Sequence, residues 1–332
     1  MKEKFLGWIL FLITICNGQY VGAQELLTNV YGRQYTFLNG KWNAIIDPYQ
    51  QGRRTSIYKN RPLRNKADFK EYEFEGGLRL NVPSDWNSQL PELKYYEGTV
   101  WYARKFEVSK NQDENLFLYF GAVSYRCRVY LNGKEIVSHE GGFTPFQFNI
   151  TDLVKAGENF LAVEVNNTRT VDAIPALSFD WWNYGGITRD VMLVRTPKVY
   201  ISNYFIQLDK YKPDYIHATL QLSEQQAGQK VRIEIPELKI ASEVQTDGQG
   251  MAKSKILPPL TTVNGKVIHR DWDYLQYFIN EARRLGLKVT VSTATDHVKE
   301  NIGFRNLSVK GTKIYLNDTP VFMKGISFHE EI

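Results

Sequence analysis

The sequence predicts a mainly β protein built from sandwich-like domains. Aromatic residues, which fit pleated sheets, are plentiful among its 332 residues: 20 Tyr, 18 Phe and 7 Trp. Short segments of alternating apolar and polar residues recur between Gly, Pro and Asn, and helical periodicity is nearly absent before residue 197. Many short strands with this punctuation are typical of a β-sandwich or a jelly roll, and the length suggests two or three domains.

The N-terminus has the pattern of an export signal over residues 1–23. Lys2 and Lys4 precede an apolar stretch at 5–16, and small residues then lead to Gln24. The apolar stretch is short for a membrane-spanning helix, which favours a cleaved signal over the alternative, a retained anchor. Signal removal would leave a soluble periplasmic or secreted protein without membrane contact.

The first β region covers residues 24–197. Alternation over 125–131 is followed at once by Asn132-Gly133 and a return strand, which is the strongest short-range signal for a hairpin. Residues 161–166 also alternate, while 116–120 is apolar on both faces, as in a strand covered on both sides.

A second β region covers residues 198–305 and has the size of an immunoglobulin-like sandwich. One segment, at about 257–291, departs from the β pattern. Residues 271–285 have helical periodicity, with Asp271 placed to cap the start and Gly286 to end the helix, and a strand pattern follows. Residues 306–332 then read as strand, turn at Asn317-Asp318, and strand.

Composition excludes several functional classes. The net charge of +5 is spread along the chain without a basic block, so nucleic acid is not an expected partner. Cys16 lies in the apolar N-terminal run, which is expected to be removed with the signal. Cys127 is then the one remaining cysteine, which excludes an internal disulfide and a cysteine metal site. The five histidines form no metal-ligand spacing, and neither a G-x-S-x-G motif nor a P-loop is present.

Four long motifs follow one another along the chain. They are YEGTVWYARKFEV (96–108), FGAVSYRCRVYLNGKEIVSHEGGFTPFQFNIT (120–151), DWWNYGGITRDVMLV (180–194), and GFRNLSV with IYLNDTPVFMKGISFHEE (303–331). Together they resemble glycoside hydrolase family 2, the β-glucuronidase and β-galactosidase group. The resemblance covers nearly all of 24–255 and 296–332.

The resemblance implies an architecture. It assigns 24–197 to a jelly-roll sugar-binding domain, 198–305 to an immunoglobulin-like sandwich, and 306–332 to the first strand of a (β/α)8 barrel. It also implies a carbohydrate substrate, no cofactor, no metal, and a homo-oligomer as an option for the full-length protein.

The resemblance further implies a retaining mechanism with two glutamates on late barrel strands. A barrel takes roughly 250 residues, and only 27 residues follow Arg305. We therefore expect no catalytic residue in this chain and no hydrolysis by it alone. Glu330 and Glu331 are no catalytic pair, because adjacent strand residues point to opposite faces.

A few site residues carry over by matching the family motifs. His329 matches a histidine that lines the sugar pocket, with an ordinary loop or core histidine as the alternative. Asp180 matches a loop aspartate that reaches the substrate in the β-glucuronidase branch, or it is a turn residue. Trp181, with Trp182 and Tyr184, would stack on a sugar ring or pack between domains.

The segment 257–291 also departs from the family pattern. It is either a natural insertion or a join of two reading frames, and we expect poor local packing there, with an unpaired edge. For function, the main hypothesis is the N-terminal part of an exported glycosidase for terminal β-linked sugars, glucuronides before galactosides. The alternatives are a carbohydrate-binding module without catalysis and an inactive fragment.

Overall fold

The computed structural model describes residues 26–62, 65, 72–179, 182–212, 215–257, 261–263, 266–268, 286–316, 319–322 and 325. In this part the chain is mainly β, as predicted, and its helical elements are single 3-10 turns: Val30–Gly32, Ile57–Lys59, Pro91–Leu93 and Pro236–Leu238. No helix among the described residues is long and apolar enough to cross a membrane. The predicted signal at 1–23 lies outside the described residues.

The described strands between residues 34 and 197 form the first unit. They are β1 (Gln34–Phe37), β2 (Gly40–Asp47), β3 (Leu78–Val82), β4 (Ser84–Asp85), β5 (Thr99–Val108), β6 (Glu114–Phe120), β7 (Val123–Ser124), β8 (Arg126–Leu131), β9 (Lys134–Glu140), β10 (Phe146–Asn149), β11 (Gly157–Asn166), β12 (Gly186–Ile187) and β13 (Val191–Pro197).

Two sheets of this unit pack face to face. The six-stranded sheet has the order β3-β2-β5-β11-β8-β9, and the four-stranded sheet has the order β1-β13-β6-β10. One hydrophobic cluster joins their inner faces, with Trp42, Tyr102 and Val163 from the first sheet and Leu118 and Phe120 from the second. The jelly-roll topology stays a prediction.

The predicted hairpin at Asn132-Gly133 is confirmed. Strands β8 and β9 pair antiparallel up to Leu131 and Lys134, which leaves these two residues as the turn. Both have positive φ, 51° and 80°, as a type I′ turn requires. The Asn132 side chain also accepts a hydrogen bond from the backbone N–H of Phe160, which fixes the turn against β11.

A third, small sheet closes one end of the first unit. Its order is β4-β12-β7, so residues 84–85 and 123–124 flank Gly186 and Ile187. This sheet places the loop that precedes β12 beside the loop that follows β4. That neighbourhood holds the candidate site described below.

The second unit also has two facing sheets. Its strands are β14 (Ile201–Leu208), β15 (Ile216–Leu222), β16 (Lys230–Ile235), β17 (Ile240–Gln245), β18 (Met251–Ile256), β19 (Thr261–Val263), β20 (Lys266–Ile268), β21 (Leu287–Ser292) and β22 (His297–Ile302). The sheets β14-β15-β18 and β17-β16-β21-β22 share one core cluster, while β19 pairs with β20. The immunoglobulin-like topology stays a prediction.

The predicted helix at 271–285 lies outside the described residues, but the strand that follows it is β21. This strand lies between β16 and β22 and buries Leu287, Val289 and Val291. The expectation of poor packing and an unpaired edge is therefore wrong for this strand. Its alternating apolar residues pack in the core shared with the sheet β14-β15-β18, while its two edges pair with β16 and β22.

The last described strands form a separate antiparallel sheet of β23 (Leu307–Lys310), β24 (Lys313–Leu316) and β25 (Thr319–Val321). The first of the two strands predicted here is thus split by a turn at Gly311, whose φ is 61°. Leu307, Val309 and Phe322 are exposed. The assignment of 306–332 to a barrel strand stays a prediction.

Candidate functional site

The three site residues predicted from sequence, Asp180, Trp181 and His329, lie outside the described residues. The loop that carries the first two is nevertheless located by its described flanks, Phe179 on one side and Trp182 on the other.

A pair of buried asparagines anchors the C-terminal flank of this loop. The Asn183 side chain donates to the carbonyl of Asn167 over 2.7 Å, and the Asn167 side chain donates back to the carbonyl of Asn183 over 3.0 Å. Asn167 also accepts from the backbone N–H of Gly98 at 2.9 Å. Because buried amides are costly to leave unpaired, these bonds fix the backbone at 183 to the end of β11.

A third buried asparagine, Asn87, connects the loop to the segment after β4. Its Oδ1 accepts from the backbone N–H of Gly185 at 3.0 Å. Its Nδ2 lies within 3.0–3.3 Å of three carbonyls, those of Leu93, Lys94 and Tyr96. One side chain thus holds the turn at 87–96 against the loop at 182–185.

Close packing reinforces this connection. Gly185 accepts a hydrogen bond from the backbone N–H of Trp86 at 2.8 Å. A Cβ at position 185 would lie 2.1 Å from Cζ2 of the Trp86 indole, so only glycine allows this approach. Trp86 is fully buried and its indole N–H donates to the carbonyl of Tyr96 at 3.2 Å.

Aromatic rings cluster where the two loops meet. The Trp182 and Tyr95 rings lie 5.3 Å apart at 43°, and Tyr184 lies 6.4 Å from Trp182. Tyr95 is exposed, and the Lys94 ammonium lies 5.5 Å from the centre of its ring. Trp182 and Tyr184 are half-buried, and rings of this kind offer flat apolar surface to one face of a sugar.

Two cavities share Trp182, Asn87 and Lys94 as lining residues. One has a volume of about 320 Å³ and is completed by Tyr95, Glu97, Arg169, Phe179 and Asn183. The other has about 350 Å³ and is completed by Ser88, Gln89, Leu90, Pro91 and Tyr184.

The charged groups at this site suit binding rather than acid–base chemistry. Arg169 and Glu97 form an ion pair of 2.6 Å, and Lys94 adds a second cation. Glu97 is the one carboxylate among the described lining residues of the two cavities. Glycoside hydrolysis needs two carboxyl groups across the bond, so these residues do not supply it.

Trp182 and Tyr184 are predicted from the sequence as site residues, whereas five other lining residues are not: Asn87, Lys94, Tyr95, Glu97 and Arg169. Asn87 contacts a residue 98 positions away, and no local pattern connects the two segments. Tyr95 directly precedes the first family-like motif, which is the one signal that pointed to it.

Neither Glu140 nor Cys127 lies in surroundings that indicate a catalytic role. Glu140 ion-pairs with Arg126 at 3.0 Å. Cys127 is buried, and burial raises the pKa of its thiol to about 12, so it is not a nucleophile. Among the described residues, no group of three or more His, Cys, Asp and Glu side chains lies close enough to hold a metal ion.

Comparison with known sequences connects this geometry to carbohydrate chemistry. Residues 36–197 match the family described as "Glycosyl hydrolases family 2, sugar binding domain". The β-glucuronidase of Rattus norvegicus is 26% identical over 355 aligned residues, which cover 96% of this chain and 52% of that protein. A putative β-glucuronidase of Formosa agariphila is 29% identical and is matched over 76% of this chain and 31% of its own length.

Solved structures that resemble this chain are also β-glucuronidases. A β-glucuronidase from an uncultured Clostridium sp. has a TM-score of 0.67 at 26% identity, covering 92% of this chain and 50% of that one. The Lactobacillus rhamnosus β-glucuronidase has a TM-score of 0.65 at 25% identity, covering 89% and 48%. The chain thus spans about half the length, or less, of the relatives it matches.

Proposed function

We propose that the chain is the N-terminal portion of a retaining glycosidase, because residues 36–197 match the family described as "Glycosyl hydrolases family 2, sugar binding domain". Its substrates are terminal β-linked sugars, with β-glucuronides favoured and β-galactosides next. The names of the relatives support the first choice, since all those reported above are β-glucuronidases or putative ones. The signal pattern at 1–23 supports export to the periplasm or the medium.

The observation that carries the proposal is the paired cavity around Trp182. Aromatic rings, an ion pair and several amide groups meet there, which is the mixture of flat apolar surface and hydrogen-bonding groups that a sugar requires. Asp180 and Trp181 directly precede Trp182 in the same loop. We assign substrate contact to Asp180 and ring stacking to Trp181.

In this proposal the domain positions the sugar and other parts of the protein cleave it. Retaining cleavage needs two carboxyl groups roughly 5 Å apart, which a closed barrel provides at the ends of its strands. We place both glutamates downstream of residue 332 and assign His329 to the wall of the same sugar pocket. The 332 residues alone are then expected to give no hydrolysis of p-nitrophenyl β-glucuronide.

The test is to express the complete reading frame that contains these residues and to assay it against p-nitrophenyl β-glucuronide and β-galactoside. Turnover of the glucuronide, lost in Asp180→Ala without a change in Tm, supports the proposal. Asp152→Ala is the control, because this exposed aspartate lines neither of the two cavities. Sugar binding without turnover of either substrate would favour a non-catalytic binding module, and equal loss of activity and stability would make Asp180 a turn residue.

A further inference from the structure

A polar groove lies on the outer face of the six-stranded sheet, on the side opposite the core. Register places Glu140, Arg126 and Asn166 in one row across β9, β8 and β11. Ser138, Arg128 and Glu164 form the next row. The segment after β2 adds Gln50 and Arg53 as a wall, and the resulting cavity has a volume of about 540 Å³.

Glu164 is the unusual group in this groove. Its side chain is 9% exposed, and its Oε1 ion-pairs with Nε of Arg53 at 3.2 Å. Its Oε2 is buried and has no hydrogen-bond partner among the described residues. A buried carboxylate oxygen without a donor is costly, so a side-chain shift that lets a ligand hydroxyl reach this oxygen is favoured by the energy of the new bond.

Carboxylates outnumber guanidinium groups by one in and around the groove. Arg53 pairs with Glu164, and Arg128 pairs with Glu135 at 2.8 Å. Arg126 pairs with Glu140 at 3.0 Å and lies 3.7 Å from Asp172. Three guanidinium groups therefore face four carboxylates, and the groove has no excess positive charge to attract an anion.

The hydrogen-bonding capacity is nevertheless incomplete. Each guanidinium has five N–H donors in a fixed planar arrangement. Arg126 uses several of them on Glu140, Thr168 and Thr170, whereas Arg53 and Arg128 each make a single ion pair. Unused N–H donors of Arg53 and Arg128 thus line the same groove as the unpartnered Oε2 of Glu164. A hydroxyl group both donates and accepts, so neighbouring hydroxyls on one ring match this arrangement.

We propose that this groove is a second carbohydrate site, which binds one or two units of an uncharged saccharide. One sugar hydroxyl donates to Oε2 of Glu164, and neighbouring hydroxyls accept from Arg53 and Arg128. The groove shares no lining residue with the cavities around Trp182, so this inference goes beyond the proposed function and does not depend on it. No Trp, Tyr or Phe is among its described lining residues, so we expect a Kd that is roughly millimolar.

The experiment titrates the full chain, uniformly labelled with ¹⁵N, with methyl β-D-glucopyranoside and with cellobiose. The readout is the NMR signals of the arginine Nε–H groups, which report on Arg53, Arg126 and Arg128 directly. Sodium sulfate and methyl β-D-glucuronide are the anionic probes. Saturable shifts of these arginine signals with a neutral sugar support the proposal.

Two variants test the contact itself. Glu164→Gln keeps the side-chain shape and removes the anionic acceptor, so the Kd for cellobiose should rise roughly fivefold. Glu158→Gln removes a more exposed carboxylate from the same strand and should leave the Kd unchanged. If Glu164→Gln fails to fold, Arg53→Gln, at a residue whose side chain is 47% exposed, tests the same site.

Three results would overturn the proposal. The first is no shift of the arginine signals at a sugar concentration about 50 times the expected, roughly millimolar Kd. The second is binding of sulfate or the glucuronide without binding of the neutral sugars. The third is sugar binding that Glu164→Gln and Arg53→Gln both leave unchanged, which would place the contact elsewhere.

Discussion

Arg33 and Asp296 form an ion pair between the two β units although 263 positions separate them in the chain. Nη1 of Arg33 lies 3.3 Å from Oδ2 of Asp296, and the side chains are 3% and 10% exposed. The same carboxylate accepts from the backbone N–H of Ile201 at 2.9 Å, while Arg33 also donates to the carbonyls of Thr28 and Ile201. The pair thus ties the start of the first unit to the junction between the units and to the turn before β22.

Asp296→Ala should therefore destabilise the protein strongly. Burial lowers the pKa of the Arg33 guanidinium and Asp296 opposes that shift, so removing the carboxylate leaves a buried charge without its counter-ion. Loss of one partner of a buried pair costs about 3–5 kcal/mol. The free energy of unfolding is measured by urea denaturation, and the control is Glu243→Ala.

The control removes an exposed ion pair of 3.2 Å between Glu243 and Lys230 in the second unit. Exposed pairs are typically worth about 0.2–1 kcal/mol, which is about a third or less of the buried value. Similar losses in the two variants would show that Arg33 is stabilised by its carbonyl partners and not by Asp296.

Gly185→Ala should disturb the candidate site through the core. Its Cβ would lie 2.1 Å from the indole of Trp86, a fully buried side chain that has little room to move. Overpacking of this kind costs about 1–3 kcal/mol. Gly248→Ala is the matched control, because no atom lies within 4 Å of its added Cβ. A Tm for Gly185→Ala equal to that of the control would contradict the contact.

Asn183→Ala should loosen the loop that carries Trp182. The variant loses the donor to Asn167 and leaves that buried carbonyl short of a partner, at a cost of about 1–3 kcal/mol. Hydrogen exchange followed by mass spectrometry should show faster exchange over 182–186. Asn301→Ala, at an exposed position on β22, is the control. Unchanged exchange over 182–186 would mean that Asn87 alone holds this flank.

Local pattern explains which parts of this fold could be predicted. Asn132-Gly133 and the alternation on both sides act within a few residues, so the hairpin followed from the sequence. The strand at Leu287–Ser292 has the same kind of alternation. It was expected to pack poorly because it departs from a family pattern, yet a sheet requires only an apolar face, which Leu287, Val289 and Val291 supply.

Long-range contacts explain what could not be predicted. The candidate site depends on Asn87 reaching Gly185, and the groove depends on Arg53 reaching Glu164 from a segment after another strand. Arg33 and Asp296 likewise have no local signature. Such pairs are set by which strands become neighbours, and composition or periodicity carries no information about that choice.

The free energy of unfolding should depend on pH through the protonation of Glu164. Burial raises the pKa of this carboxyl above its usual value, Asp47 and Glu135 act in the same direction, and Arg53 and Arg128 oppose them. The folded state thus binds the proton more tightly than the unfolded chain. The stabilisation from this group is complete below the usual glutamate pKa and is lost as the pH rises through the raised value.

Glu164→Gln imitates the protonated carboxyl at every pH, so its effect on stability should itself depend on pH. At pH 7 the variant should be as stable as the wild type or more stable, because it no longer holds a buried charge and its partner Arg53 is 47% exposed and hydrated. Near pH 4 the wild-type carboxyl takes up its proton and that advantage should shrink. Urea denaturation of both proteins between pH 4 and 8 measures the difference, with Glu158→Gln as the control for loss of a charge on the same strand. An advantage of Glu164→Gln that grows as the pH falls would reverse the sign and would mean that the ion pair with Arg53 outweighs the cost of burial.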